Sequence, residues 1–191
     1  MFVHLSRLFK HSVVYGLAET ISRGTGFVLL FMYLRLLTDS EIGTRSIVYA
    51  MAGFIVLFYT CGLDNAFLRY FMDSEHEKEK DTVLSTAMAF TIAVGLLFLA
   101  GAFFFDEWIS RIITLSSSNT YIIRLIFVVL LFDTMVIYPS LVLRAEDRAF
   151  LFSLVSLLRF FLLIFFNIFF VWIYRRGLYG VFEANLLAVI I

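Results

Sequence analysis

Cysteine, proline and charged residues are scarce in this sequence. The single cysteine, Cys61, excludes an intrachain disulfide, and the single proline, Pro139, leaves one position for a proline kink. Charged residues make up 16% of the 191 residues and the formal net charge is zero, which fits neither a soluble domain nor a basic nucleic-acid-binding surface. The three histidines are scattered. We therefore predict no metal ion, no cofactor and no catalytic cluster.

Apolar residues are abundant instead and stand in long runs. The chain is 62% hydrophobic, with 24 phenylalanines. The runs reach roughly 20 residues, the length that crosses a ~30 Å hydrocarbon core, whereas strands of a membrane barrel alternate over about 10. We predict an all-α, polytopic membrane helix bundle with about six transmembrane helices. The predicted helices are at about 12–37, 43–68, 82–105, 120–143, 149–174 and 178–191.

The whole chain, 1–191, is predicted to form a single transmembrane lobe. No linker rich in proline, glycine or serine divides it, and its one charge run, 73–81, lies between the second and third helices. Arg7 and Lys10 precede the first apolar run, which lacks a signal-peptide cleavage site, so we expect a retained helix. The last run falls short of the ~20 residues needed to span a bilayer. We therefore expect a fragment of a longer protein.

The distribution of lysine and arginine favours a cytoplasmic N-terminus by the positive-inside rule. The side predicted to be cytoplasmic has one more lysine or arginine than the opposite side. One side carries Arg7, Lys10, Arg69, Lys78, Lys80, Arg144 and Arg148, and the other carries Arg35, Arg45, Arg111, Arg124, Arg175 and Arg176.

Ionisable residues inside the predicted helices are the candidate functional groups, since a charge at mid-membrane costs at least ~2.5 kcal/mol. Glu19 and Arg23 lie four residues apart on the first helix and so share a face. They either neutralise one another for insertion, or line a hydrated cavity in which Arg23 contacts an anionic group.

Two further charges are predicted to lie at similar depth on neighbouring helices. Asp133 and Arg159 each stand 13 residues from Glu146 in the connecting turn, so antiparallel packing brings them together. The pair is either a structural ion pair or a site of substrate contact or ion coupling. Glu183 and Asn167, which flank a short arginine-containing turn, are expected to make hydrogen-bonded packing contacts.

Several segments together resemble the oligosaccharide flippase (polysaccharide biosynthesis, O-antigen translocase-like) branch of the multidrug/oligosaccharidyl-lipid/polysaccharide exporter superfamily. The resemblance covers nearly the whole chain. It is carried by HSVVYGLAETISRGTGFVLLFMYLRLLTDSEIG (11–43), GLDNAFLRYF (62–71), PSLVLRAEDRAF (139–150) and GLYGVFEANLL (177–187). The family commonly has a proline in the turn where this chain reads Thr38-Asp39-Ser40-Glu41.

The resemblance implies a transporter of two pseudo-symmetric lobes, of which this chain is the N-terminal one, in the inner (cytoplasmic) membrane. Its expected partners are membrane lipid, a C-terminal lobe and a polyprenyl-pyrophosphate-linked glycan for lipopolysaccharide or other surface polysaccharide. We expect Arg23, Arg69 and Arg159 to attract the anionic headgroup, and Glu19 and Asp133 to couple transport to an ion. Arg69 has an alternative role as an anchor at the membrane interface.

Other functions predict different features. A cation-coupled multidrug exporter of the same superfamily would export small cationic dyes. A membrane-embedded polysaccharide polymerase or glycosyltransferase would need large loops bearing carboxylates or histidine, and the loops here are short, so we predict that the chain is not an enzyme. A non-transporting scaffold would be a complete, self-associating six-helix protein.

Overall fold

The structure, a computed structural model, describes residues 16, 20, 24, 26–114 and 119–191. All regular structure in these residues is helical, which confirms the predicted all-α class. The helices are α1 Gly26–Leu36, α2 Asp39–Thr60, α3 Leu63–Asp73, α4 Glu77–Thr114, α5 Thr120–Ala145, α6 Ala149–Asn167 and α7 Gly177–Ile190, with a π-helical segment, Ile168–Ile173, directly after α6.

Four of these helices are long and apolar enough to cross a membrane. They are α2, α4, α5 and the continuous run Ala149–Ile173, with 22, 38, 26 and 25 residues. Each exceeds or meets the ~20 residues that a bilayer requires. Within the described ranges α1 and α7 are shorter apolar helices. The chain is therefore a multi-pass membrane protein.

The prediction of one continuous helix over 43–68 was wrong. Helix α2 ends at Thr60 because Cys61 and Gly62 both adopt left-handed backbone, with φ of 47° and 69°, and α3 begins at Leu63. Two consecutive left-handed residues end a right-handed helix. Beyond the break, α3 buries Phe67 and Phe71 against Tyr138 of α5.

The third predicted helix, 82–105, is longer in the structure. Helix α4 starts at Glu77 and ends at Thr114, a length of about 57 Å at 1.5 Å per residue. Glu77 and Glu79 occupy its first turn, where the helix dipole favours negative charge. Phe105, the predicted end, is instead a kink with φ −116° and ψ 17°.

Helix α5 is the centre of the bundle and packs against α2, α3, α4, α6 and α7. It buries residues on every side. Pro139 lies within α5, and the helix continues past it to Ala145. Its buried residues are Ile122, Ile123, Leu125, Ile126, Phe127, Val129, Leu130, Leu131, Thr134 and Tyr138. Most of these buried residues lie in the first half of α5, whereas Asp133, just past its middle, is partly exposed.

The turn before α2 is a capping box that also joins α2 to α7. The Thr38 backbone N–H donates to Glu41 Oε2 at 2.8 Å, and the Glu41 N–H donates to Thr38 Oγ1 at 3.3 Å. Glu41 Oε1 accepts the Leu178 N–H at 3.2 Å. One carboxylate therefore satisfies donors at the starts of two helices.

Candidate functional site

The centre of the candidate site is an ion pair between α5 and α6, which we call the central pair. Arg159 Nη2 donates to Asp133 Oδ1. The two helices are joined by a tight turn in which Asp147 has φ 54°, so they run antiparallel and bring equally distant residues to one depth. The predicted contact between Asp133 and Arg159 is confirmed.

The central pair lies about halfway along α5. Asp133 stands 13 residues (133 − 120) after Thr120 in a helix of 26 residues, or about 20 Å from its start. Its side chain is 32% exposed and that of Arg159 is 45% exposed on the surface of the bundle. A charge pair at this depth therefore faces outward from the packed core.

A cavity of about 310 Å³ opens beside the central pair. Ser140 and Ser156 add hydroxyl groups to its wall, and Arg144 adds a second guanidinium, which lies over the Phe152 ring with its carbon 4.4 Å from the ring centroid. The full lining is Asp133, Val136, Ile137, Ser140, Leu141, Arg144, Phe152, Ser156 and Arg159. Guanidinium and hydroxyl donors together suit the oxygens of a phosphate or carboxylate.

Two other ion pairs, which we call the terminal pairs, lie near helix ends. Arg124, in the second turn of α5, pairs with Asp106, which directly follows the kink of α4. Arg176, immediately before α7, donates from Nη1 to Glu183 Oε2 at 2.7 Å. The two carboxylates are only 8% and 11% exposed, so both terminal pairs are packed into the bundle on their acidic side.

A second polar cluster, absent from the sequence-based prediction, surrounds Arg45. Its guanidinium carbon lies 4.7 Å from the Tyr33 ring centroid and 4.9 Å from the Tyr49 ring centroid. The Tyr33 hydroxyl donates to Asn167 Oδ1 at 2.6 Å, and Asn185 Nδ2 donates to the Tyr49 hydroxyl at 2.7 Å. We call these five residues the Arg45 cluster. It joins α1, α2, α6 and α7.

Sequence spacing provides no signal for the Arg45 cluster, because its members lie on four helices. The sequence pattern pairs Arg45 with Glu41, one turn earlier on the same helix. The structure instead directs the Glu41 carboxylate to Thr38 and Leu178. From the sequence, Arg45 contributes only to the count of basic residues that predicts membrane orientation.

Of the other predicted site residues, Arg69 is not brought to the central pair. The Arg69 side chain, on α3, is 83% exposed, and its Nε lies 3.8 Å from Asp73 Oδ2 of the same helix. Arg69 does not line the cavity beside the central pair. Glu19 and Arg23 lie outside the described residues. Asn167 and Glu183 both make hydrogen bonds, as predicted. Asn167 accepts from Tyr33, and Glu183 accepts from Arg176.

Metal-ligating side chains do not cluster in the part of the chain that the structure describes. No group of three or more histidine, cysteine, aspartate or glutamate residues there is placed to hold a metal ion. The polar chemistry of the described interior is that of guanidinium, carboxylate, hydroxyl and amide groups.

Comparison with known proteins places the chain in a family. The model of the family described as polysaccharide biosynthesis protein matches residues 8–191. The chain belongs to the polysaccharide biosynthesis protein family. This confirms the resemblance drawn from the sequence segments, and the match includes the residues of the first predicted helix. No curated protein and no solved structure matches the chain.

Proposed function

We propose that this polysaccharide biosynthesis protein is the N-terminal lobe of a two-lobed flippase that moves a lipid-linked oligosaccharide across the cytoplasmic membrane for cell-surface polysaccharide synthesis. The observation that carries the proposal is the central pair, which is partly exposed at mid-helix beside a cavity that hydroxyl and guanidinium groups help to line. Family membership supports the class of substrate.

The exposure of the central pair requires a polar neighbour. A charged side chain in contact with hydrocarbon costs at least ~2.5 kcal/mol, so charges at mid-membrane face water or protein. Asp133 and Arg159 are exposed to the exterior of this lobe at 32% and 45%. A second lobe enclosing a water-filled cavity supplies that neighbour, as in transporters built from repeated units.

The pairing of Asp133 with Arg159 suggests how binding and coupling are linked. An arriving pyrophosphate offers Arg159 bidentate oxygen acceptors and competes with the Asp133 carboxylate. Asp133, displaced, is then available for a proton or a cation; when the anion leaves, the ion pair re-forms. In this scheme Arg159 contacts the substrate headgroup and Asp133 is the coupling residue.

The remaining predicted residues extend this scheme. Arg23 and Glu19 on the first helix are proposed as a headgroup contact and a coupling carboxylate, and Arg69 as a contact near the membrane interface. The N-terminus is proposed to be cytoplasmic, with six spans in this lobe. Lipopolysaccharide O-antigen precursors are one glycan class that such a lobe would carry.

The test is a flipping assay on the full-length protein in proteoliposomes, with a fluorescent polyprenyl-pyrophosphate-linked oligosaccharide. We expect Arg159→Gln to lower the flipping rate at least about tenfold, since it removes a charged hydrogen-bond donor worth about 1.5–3 kcal/mol. Arg23→Gln tests the first-helix contact in the same way. Arg111→Gln is the matched control, because Arg111 is exposed in the last turn of α4.

Three outcomes count against the proposal. If Arg159→Gln flips the glycan lipid at the wild-type rate, the central pair does not have the role assigned to it. Failure of the wild-type protein to flip any glycan lipid removes the flippase assignment. Export of small cationic dyes in its place supports the multidrug exporter alternative.

A further inference from the structure

A groove of about 450 Å³ runs along the outside of the bundle between α1 and the helical run Ala149–Ile173. One wall is a face of α1 within 28–36, and the other is formed by Ile164, Ile168 and Trp172. Every described residue of the lining is hydrophobic except Arg35. The groove shares no described lining residue with the cavity beside the central pair, so it is a separate feature.

The register of the two walls is fixed by the hydrogen bond from the Tyr33 hydroxyl to Asn167 Oδ1 at 2.6 Å. Consecutive spans alternate in direction and four reversals separate α1 from α6, so the two walls run parallel. The walls reach Arg35 and Trp172 one residue before their segments end. In the other direction, Val28 lies seven residues (35 − 28), or about 10 Å, deeper than Arg35. The groove therefore has a mouth at the helix ends and a deep end among apolar residues.

The mouth of the groove lies at the depth of lipid headgroups. The ends of spanning helices reach the membrane–water interface, where tryptophan and tyrosine are enriched. Trp172 and Tyr174 are both exposed at this end of the bundle. Val28, at the deep end, is exposed at the depth of the acyl chains. A molecule in the groove therefore has its polar part beside Arg35 and its apolar part along the walls.

Arg35 has no anionic partner among the described residues. Arg124 and Arg176, near the same end of the bundle, are each paired with a carboxylate. No described carboxylate forms an ion pair with Arg35, which is exposed at the mouth of the groove. A guanidinium binds a phosphate through two parallel N–H donors, and basic residues near a membrane surface attract anionic lipids. The mouth therefore suits a lipid phosphate.

A phospholipid fits these features better than a glycan lipid does. One guanidinium matches the single negative charge of a phosphodiester. The described walls around Arg35 offer no hydroxyl or amide side chain to a sugar, whereas Ser140, Ser156 and a second guanidinium line the other cavity. A zwitterionic headgroup brings its own cation, which competes with Arg35 for the phosphate. An anionic headgroup is therefore favoured.

We propose that this groove is a binding site for an anionic phospholipid of the phosphatidylglycerol type. Arg35 binds the phosphate, the glycerol lies beside Trp172, and one acyl chain runs along the groove to Val28. The bound lipid thereby bridges α1 and the π-helical segment, the same two parts that Tyr33 and Asn167 join. The proposal goes beyond the proposed function and does not depend on it.

The test is native mass spectrometry of the delipidated full-length protein, titrated with phosphatidylglycerol or with phosphatidylcholine of the same acyl chains. We expect the wild type to bind the first phosphatidylglycerol about fivefold more tightly than phosphatidylcholine. Arg35→Gln is expected to abolish that preference. Arg35→Lys is expected to keep part of it, because lysine keeps the charge but loses the planar fork. Arg111→Gln, at an exposed position in the last turn of α4 and outside the groove, is the matched control and is expected to keep the preference.

Photo-crosslinking in phosphatidylcholine nanodiscs locates the acyl chain. Phosphatidylglycerol with a diazirine in the middle of one acyl chain is expected to label peptides from 26–36 or 164–173. Val28→Phe fills the deep end and is expected to remove this label, and the fold should tolerate the change because Val28 is exposed. Leu97→Phe enlarges an exposed residue of α4 outside the groove and is expected to leave the labelling unchanged.

Four outcomes overturn the proposal. Two are equal Kd values for both lipids in the wild type, and an unchanged preference in Arg35→Gln. If neither wall is labelled, another part of the protein, such as a second lobe, covers the groove. If polyprenyl pyrophosphate displaces phosphatidylglycerol at equal concentration, the groove belongs to the glycan lipid. A protein that binds phosphatidylglycerol here but flips no glycan lipid loses only the proposed function.

Discussion

The central pair and the terminal pairs contain the same chemical groups in different surroundings. Asp106–Arg124 and Glu183–Arg176 lie within about two turns of a helix end, with carboxylates that are almost fully covered by protein. Asp133–Arg159 lies about 20 Å along its helix, yet its carboxylate is more exposed than either of theirs. The carboxylate that lies farthest from a helix end is therefore the most exposed of the three. The opposite order is expected if all three pairs only stabilise the fold.

This difference separates stabilisation from function. A charge near a helix end reaches water or lipid headgroups at little cost, and a packed ion pair there joins two helices. An ion pair at mid-membrane that faces outward is stabilised less by packing within the lobe. It needs a polar environment from outside the lobe, such as water or a second lobe. We therefore assign stabilisation of the lobe to the terminal pairs, and the central pair is the one for which we propose a role in transport.

The largest expected effect comes from exchanging charges within each pair. Asp133→Arg with Arg159→Asp keeps an ion pair but reverses the groups presented to the cavity, so we expect flipping to fall at least about tenfold while the thermal midpoint changes little. Asp106→Arg with Arg124→Asp is the matched exchange at a terminal pair. It is expected to retain flipping, measured per folded molecule in proteoliposomes. Equal flipping by both exchanged proteins would erase the distinction.

Removing one terminal carboxylate should mainly reduce stability. Asp106→Asn leaves Arg124 unpaired, and because the Arg124 side chain is about half-exposed we expect a loss of about 1–3 kcal/mol, below the value for a fully buried pair. Thermal unfolding in detergent measures the loss, and the flipping rate per folded molecule is expected to be unchanged. A selective loss of flipping would give this pair a transport role.

A smaller loss is expected at the other terminal pair. In Glu183→Gln the amide oxygen still accepts from Tyr121, whose hydroxyl lies 3.3 Å from Glu183 Oε1, so the loss is confined to the hydrogen bond and charge interaction with Arg176. We expect about 1 kcal/mol of destabilisation in the same unfolding measurement. A loss as large as that of Asp106→Asn would show that charge, rather than hydrogen bonding, dominates here.

The smallest effect is expected in the turn between α5 and α6. Glu146 and Arg148 form an ion pair at 2.9 Å, with Arg148 largely exposed. Exposed pairs contribute about 0–1 kcal/mol, so Glu146→Gln should change the thermal midpoint by no more than a degree or two. A large shift would mean that this turn sets the alignment of the central pair.

Some of the candidate site was predictable from the chain alone. Asp133 and Arg159 were predicted as partners because two helices joined by a short turn match residues that are equally distant from it. The depth of a residue in a spanning helix follows from counting along the sequence. No count of this kind relates Tyr33 to Asn167, which are 134 positions apart.

Helix boundaries were predictable only in part. The end of α2 at Thr60 depends on backbone angles at Cys61 and Gly62, and cysteine does not ordinarily indicate a left-handed position. The kink at Phe105 lies where the apolar run ends, before Asp106 and Glu107, and the helix nevertheless continues to Thr114. Hydropathy records neither feature correctly, because it carries no information on the backbone angles at Cys61 and Gly62, and because the charged residues Asp106 and Glu107 mark a helix end where the structure has only a kink.

The sequence by itself determined the membrane class, the helical fold, the family and the pairing of Asp133 with Arg159. These follow from local composition, run length and residue spacing, which are properties of one stretch of chain or of two adjacent stretches. Only the tertiary structure decided the environment of Arg45. A guanidinium between two tyrosines, supported by two asparagines on other helices, exists only after four helices have packed, since its contacts reach across 134 and 136 positions.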